Sequence, residues 1–567
     1  MKPLDWVVLC AWLVSIVCYG LWKGRSSGTT DSYLLAGRSM PWYAMGLSIM
    51  ATQAGAISFI STTGQAYTDG MRFVQFYFGL PIAMVILAAT AVPIFHRAGV
   101  FTAYEYLERR FDAKTRSLVS IVFLIERGLG AGVALYAPAV VLSVVLGWPD
   151  QVTTLVMGTL MIVYTALGGI KAVTWADVQQ MSLLFIALFL TLAVAISLLP
   201  SGVSFRDALT VAGAAGRLKM VDTHFDWNNR YNIWSGLIGG MFLALAYFGT
   251  DQSQVQRYLT GRSVGQSRLS LVFMALTKIP MQLFILFIGG MTFVVFTFLP
   301  PPVLFNPPAL AKITASPAFP GLKQRYDAAF EQRREAATTL IGARSADAAT
   351  RAKSVAEYRG AEARFEDIHR QAEQLAASIT GVPAFHDTNY IFLSFVMRYL
   401  PVGIVGLVIG AIFSAGMSSI SGEVNSLATV SVIDIYKRHW VPNASDRHYL
   451  MASRVATVLW GLYAMAFASR GTGFGALIET VNMIGSLFYG SMLGVFVLAF
   501  GFKSVRGTAA FCGVLAGEAA VFGFAVFTGI SYLWYNIIGC LVTLAAAFLI
   551  TRLGARRSAP SPDFHPV

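Results

Sequence analysis

Apolar stretches about the length of a bilayer crossing recur along nearly the whole chain, separated mostly by short polar loops. A transmembrane helix needs roughly 20 apolar residues. On that measure the pattern predicts thirteen spans, near 4–22, 41–66, 72–96, 116–147, 150–168, 172–199, 231–256, 269–299, 388–436, 448–469, 473–501, 506–528 and 531–553. The ninth is too long for one straight crossing; Pro401 and Gly403 predict a short outer helix followed by the true span near 403–436. The first stretch, LDWVVLCAWLVSIVCYGLW, exceeds a leader-peptide core and has neither the basic region nor the small-residue cleavage site of one, so it reads as a span.

One region breaks the pattern. Residues 304–387 contain LKQRYDAAFEQRREAATTLIGARSADAATRAKSVAEYRGAEARFEDIHRQAEQLAAS, rich in Ala, Glu, Arg and Gln with nearly balanced charge and no Pro. It predicts two solvated helices in a hairpin. This insertion reads either as a solvated cap or as a surface for an unknown partner.

Composition agrees with a polytopic helical membrane protein: 56% of the 567 residues are hydrophobic and 13% charged, where about 25% charged is usual for soluble domains. The net charge of +13 does not point to nucleic acid, because the basic residues follow the loops. Lys23, Arg25, Arg38, Arg97, Arg109, Arg110, Lys114, Arg116, Lys171, Arg257, Arg262, Arg268, Lys437, Arg438, Arg447, Lys503, Arg506 and Arg552 fall on one set of loops; the alternate loops hold few. The positive-inside rule makes the first set cytoplasmic. The amino terminus is then outside, the 304–387 insertion outside, and a tail at 554–567 cytoplasmic, too short for a signalling domain. Cys10, Cys18, Cys512 and Cys540 lie in apolar runs and read as small buried hydrophobes. Soluble-enzyme motifs and a histidine metal cluster are not apparent, so no enzyme is expected. RGLGAG at 127–132 reads as close helix packing, not a nucleotide fingerprint.

The informative residues are polar ones within apolar segments. FSAGMSSISGEVNS (413–426) carries five serines, a glutamate and an asparagine between apolar flanks. Ala415, Ser418 and Ser419 share a helix face, where two hydroxyls and a loosened carbonyl suit a dehydrated monovalent cation; the alternative is close packing through small residues. In the second span, ATQAGAIS (51–58) predicts a break at Gly55 that frees the carbonyls of Ala51 and Ala54. Asp177 in WADVQQ reads as a helix cap or interfacial carboxylate. Glu126, Arg127 and Glu423 are ionisable at depths where each needs a partner.

Together, AGRSMPWYAMGLSIMATQ, AGVFTAYEYLERRFD, TALGGIKAVTWADVQQ, QVQRYL (254–259) and SAGMSSISGEVNSLATVSVIDIY resemble the sodium/solute symporter family, from about Leu35 to Phe502 apart from the insertion. That resemblance implies an all-α LeuT-type core of two inverted five-helix repeats, the first near 41–199 and the second from about 231. It implies a sodium site at Ala51, Ala54, Ala415, Ser418 and Ser419. Members with a second sodium imply Asp177, Ser418 and Ser421, although Gly422 stands where some have another Ser. Ala244 replaces the Asn by which sugar carriers hold their sugar; Tyr247 and Asn482 match cavity residues. Gln53, Ser58, Phe73, Gln75 and Tyr77 line the neighbouring second and third spans as candidate solute contacts. Arg127, near an arginine that binds a carboxylate in the sialic-acid carriers, is either a solute anchor or one half of an internal ion pair with Glu423 or another acid. The expectation is a sodium-driven symporter of a small carboxylate-bearing solute in a bacterial inner membrane, with sodium as the co-transported ion; a neutral sugar or polyol symporter and a non-transporting sensor are the alternatives.

Overall fold

The structure, a computed structural model, describes residues 1–24, 28–382, 385–470 and 477–557. The tail expected at 554–567 lies largely outside them, as do residues 473–476 of the eleventh expected span. Among the described residues eleven helices are long and apolar enough to cross a membrane, with a shorter apolar helix at Ser235–Thr250. Helix Ile404–Val430 lies at the centre, nearly all of its side chains buried, against helices Asp150–Ser197, Ala113–Leu146 and Pro3–Gly24. Helices Gly507–Phe527 and Tyr535–Arg557 pack on Leu477–Gly501 at the periphery.

Two helices are interrupted inside the bundle, at buried joints. The first runs as Trp42–Gln53 and resumes as Ala56–Asp69, with Gly55 extended between them (φ −68°, ψ −178°). Gly55 makes this cheap, since Gly gives up about 1 kcal/mol less helical stability than Ala would. The second runs Gly240–Thr250 and resumes as Gln252–Leu259. Asp251 is extended at the joint and its carboxylate caps Ser253 N at 2.8 Å. The sequence reading treats 231–256 as unbroken. The correction is physical: a helix restarting inside the bundle needs an N-cap, and Asp251 supplies it.

The chain turns at Leu400–Gly403 (Gly403 φ 87°) between helices Thr388–Tyr399 and Ile404–Val430. The insertion is an antiparallel pair, Phe319–Gly342 and Ala348–Thr380, with its own apolar cluster around Leu322, Tyr326, Phe330 and Phe365. It is not a free cap. Buried Arg333 donates to the Phe296 carbonyl at 2.5 Å, Arg344 pairs with Asp207 at 2.6 Å, and Arg217 holds both Glu366 of the insertion and the Thr68 carbonyl. The cysteines correct the sequence reading in part. Cys540 is buried, but Cys10 and Cys18 face outward on the first, peripheral helix, where lipid accepts a thiol as readily as a methyl group. The glycines of RGLGAG do serve packing: a Cβ on Gly128 would fall 2.9 Å from the Trp460 ring.

Candidate functional site

The break at Ala54–Gly55 lies against helix Ile404–Val430. A Cβ on Gly55 would sit 2.6 Å from Ser419 Oγ and 3.8 Å from the Ala415 carbonyl, so only Gly permits this approach. Ser419 donates to the Thr52 carbonyl at 3.3 Å. The Gln53 carbonyl accepts from Ser58 Oγ at 2.6 Å and from Lys278 Nζ at 3.3 Å. Ala51, Ala54, Ala415, Ser418 and Ser419 are all buried, and the Ser418 hydroxyl has no hydrogen-bond partner. A buried orphan hydroxyl costs about 1–3 kcal/mol. Beside a helix break, it is the kind of group a dehydrated cation satisfies.

A cavity of about 100 Å³ opens beside this break. Of the solute contacts expected from sequence, Gln53, Ser58, Tyr77, Arg127, Tyr247 and Asn482 line it. The Gln53 side-chain oxygen is buried and unpartnered, which leaves an acceptor at the wall. Phe76, Leu243 and Val481 supply an apolar side.

Phe73 and Gln75 are not cavity residues. Gln75 is fully buried and clamps a loop, donating to the Tyr231 carbonyl at 2.8 Å and accepting from Asp222 N at 2.9 Å. Phe73 stacks on Phe76 at 5.5 Å. Both are consumed by the turn of 3₁₀ helix at Gly70–Tyr77, which directs Phe76 and Tyr77 to the cavity instead.

Arg127 lies at the end of the cavity with its fork already occupied. It pairs with Asp251, donates to the Tyr489 hydroxyl, and reaches Glu423 at 3.3 Å. Glu126, the preceding residue, comes within 3.5 Å of the same guanidinium. Four helices thus converge on one guanidinium. Three carboxylates around one cation leave this end of the cavity negative when all are ionised. The Tyr247 ring covers the guanidinium at 5.4 Å. Asp251 and Tyr489 were not singled out from sequence; an acid that ends an apolar run looks like a span terminus.

Lys278 was also missed. It is fully buried on helix Val264–Phe298, 5.2 Å from the centre of the Tyr77 ring, with no acidic partner among the described residues.

At Asp177 the structure corrects the sequence reading twice. The residue lies within helix Asp150–Ser197, past the kink at Gly169, and caps nothing. Its carboxylate pairs with Arg257 at 2.7 Å, and Ser48 bonds to both. A Cβ on Gly422 would overlap the same guanidinium. Arg257 engages one Asp177 oxygen, while Asp177 Oδ1 and the Ser421 hydroxyl are buried without a partner.

The sodium:solute symporter family model matches residues 33–315 and 374–517. The chain is 27% identical over 530 residues to the sodium/glucose cotransporter of Vibrio parahaemolyticus, covering 90% of this chain and 83% of that one. It is 25% identical over 557 residues to the sodium/sialic acid symporter NanT of Aliivibrio fischeri, covering 96% and 92%. A sodium-coupled sialic acid symporter solved in a substrate-bound outward-open state superposes with a TM-score of 0.75 at 23% identity, over 97% of this chain and 98% of that one.

Proposed function

The chain belongs to the sodium:solute symporter family, and from that premise we propose that it imports a small organic solute by alternating access, coupled to one sodium ion per cycle. It is a multi-pass membrane transporter of LeuT-type architecture, not an enzyme, and sodium is its coupling ion. One observation carries the site: the helix break at Ala54–Gly55 lies against Ser419 and the Ala415 carbonyl, and the adjacent residue on that helix, Ser418, has a buried hydroxyl with no partner. Carbonyls of Ala51, Ala54 and Ala415 and hydroxyls of Ser418 and Ser419 form the sodium site in this reading. The choice of one ion rather than two rests in this reading on Arg257 pairing with Asp177.

Coupling requires that sodium favour the solute-binding state, and linkage then makes solute favour sodium by the same factor. The negative cluster of Glu126, Asp251 and Glu423 attracts the ion, and Gln53, next to the break, joins ion and solute sites through one short segment. In this reading the basic loops are cytoplasmic, the insertion lies outside a plasma membrane, and the inverted repeats run over 41–199 and from 231.

For the solute, a carboxylate is favoured by Lys278. A buried ammonium without an acid is costly, and it stands behind Gln53 and Tyr77, both on the cavity wall. A neutral sugar or polyol is the second reading, favoured by the occupied fork of Arg127 and by the neutral hydrogen-bonding groups of Gln53, Ser58 and Asn482. Counterflow in proteoliposomes with matched acid and neutral solutes tests the function. Sodium-dependent exchange of an acid, lost in Lys278→Gln, supports the first reading. Exchange of a neutral solute alone supports the second, and no exchange of any solute overturns transport.

A further inference from the structure

Away from the membrane-embedded cavity, the insertion and its junctions enclose a second cavity of about 460 Å³. On its wall stand His369, Glu373, His386 and Asp387. His369 and Glu373 are one turn apart on helix Ala348–Thr380 and so share a face. His386 and Asp387 come from the segment where the chain leaves the insertion. One ligand atom from each of His369, Glu373 and Asp387 lies within 4.8 Å of the others. His386 Nδ1 is 3.5 Å from the second Glu373 oxygen.

The surroundings prepare these groups as a ligand set. His369 Nδ1 lies 3.1 Å from the Val303 carbonyl, which can only accept, so that nitrogen carries the proton. In the neutral ring the other nitrogen, Nε2, then presents a lone pair toward Asp387 Oδ1, 3.4 Å away. The contact is filled either by a proton on Nε2, giving an imidazolium–carboxylate pair, or by a metal ion in the proton's place. The Asp387 carboxylate is fixed by Phe305 N at 2.5 Å, and Glu373 is oriented by Asp387 N at 3.2 Å. Such backbone and outer contacts are what hold ligands in metal sites.

No guanidinium or ammonium neutralises these carboxylates among the described residues. Arg217 is spent on Glu362 and Glu366, and Arg370 on Asp367.

We propose that His369, Glu373 and Asp387, joined by His386 at the rim, bind a divalent transition-metal ion of the zinc type. Nitrogen and carboxylate donors in this mixture suit Zn²⁺ better than Ca²⁺ or Mg²⁺, which prefer all-oxygen shells. Tetrahedral zinc with bonds of about 2.0–2.1 Å needs ligand atoms about 3.4 Å apart, so binding draws these side chains inward. The site joins three parts of the chain: Val303 and Phe305 at the entry to the insertion, its second helix, and its exit at His386–Asp387. A bound ion would staple the base of the insertion at the mouth of a cavity that also touches Gln65 and Thr68 of the broken helix.

The test uses the untagged full-length protein in nanodiscs, stripped with EDTA and titrated with Zn²⁺ against a chromophoric chelator. The expected result is one Zn²⁺ per chain, with Glu373→Gln and His369→Gln each weakening it by about 100-fold or more and the remote His224→Gln unchanged. Co²⁺ should report nitrogen and oxygen ligation in its visible spectrum, and Ca²⁺ should not compete. Sodium-dependent thermal stabilisation, retained in each variant, shows that the fold persists. No stoichiometric Zn²⁺ binding, or binding that neither variant weakens, would overturn the proposal.

Discussion

The guanidinium of Arg257 lies against the bare Cα of Gly422, in space that a side chain at that position would take, while it pairs with Asp177 at 2.7 Å. A tethered charge of this kind cannot leave with the solute, so it adds nothing to the charge moved per cycle. Asp177→Asn leaves Arg257 buried and unpaired, which should cost about 3–5 kcal/mol of stability. The charge-to-solute ratio, measured by reversal potential in proteoliposomes, should be unchanged. A ratio that falls by one charge would restore a second ion to this place.

Ser418→Ala should separate sodium binding from folding. Without sodium the variant loses a buried orphan hydroxyl, so its melting temperature should equal or exceed that of the wild type, by up to about 1–3 kcal/mol of stability. With sodium the stabilisation should shrink, and half-maximal uptake should need at least about tenfold more sodium, which is 1.4 kcal/mol. An unaltered sodium dependence would move the site elsewhere.

Arg127 should behave as a keystone of packing before it behaves as a ligand. Arg127→Gln strips the counter-charge from Asp251, Glu126 and Glu423. The expected loss is about 3–5 kcal/mol, seen in thermal or chaotrope unfolding. Pairing it with Asp251→Asn in a double-mutant cycle should return a coupling of about 0.5–3 kcal/mol. Additive losses would mean that the two side chains do not act as a pair.

Gln75→Leu should destabilise without altering selectivity. It strands Asp222 N–H and the Tyr231 carbonyl, at about 1–3 kcal/mol for each buried group left unpaired. Competition of a solute panel for uptake by the surviving folded fraction should match the wild type. A changed rank order would return Gln75 to the cavity.

These residues show what a sequence can and cannot disclose. The first helix break was legible because Gly55 weakens a helix wherever it stands. Ser418 and Ser419 were legible because hydroxyls in an apolar span demand partners. The break at Asp251 was not, since an acid after an apolar run marks the end of a span as readily as a joint within the bundle. The pairing of Asp177 with Arg257 was hidden for another reason. Each residue sits near a predicted membrane boundary, where a charge needs no explanation until packing shows both fully buried. Gln75 and Phe73 lie in the right segment, but the 3₁₀ turn rotates them away from the cavity.

The insertion is fastened to the broken helix at two points. Through Arg217 it holds the Thr68 carbonyl, on the second half, Ala56–Asp69, of the first broken helix. Through Asp387 it runs directly into helix Thr388–Tyr399, which packs against that same half. If the hairpin lies outside the membrane, as proposed, a hairpin fastened in this way acts as a calliper on the broken helix. A binder that stiffens the hairpin from the aqueous side would brake turnover without competing with solute or sodium, and a pair of fluorophores placed on its two arms would give an optical trace of the cycle.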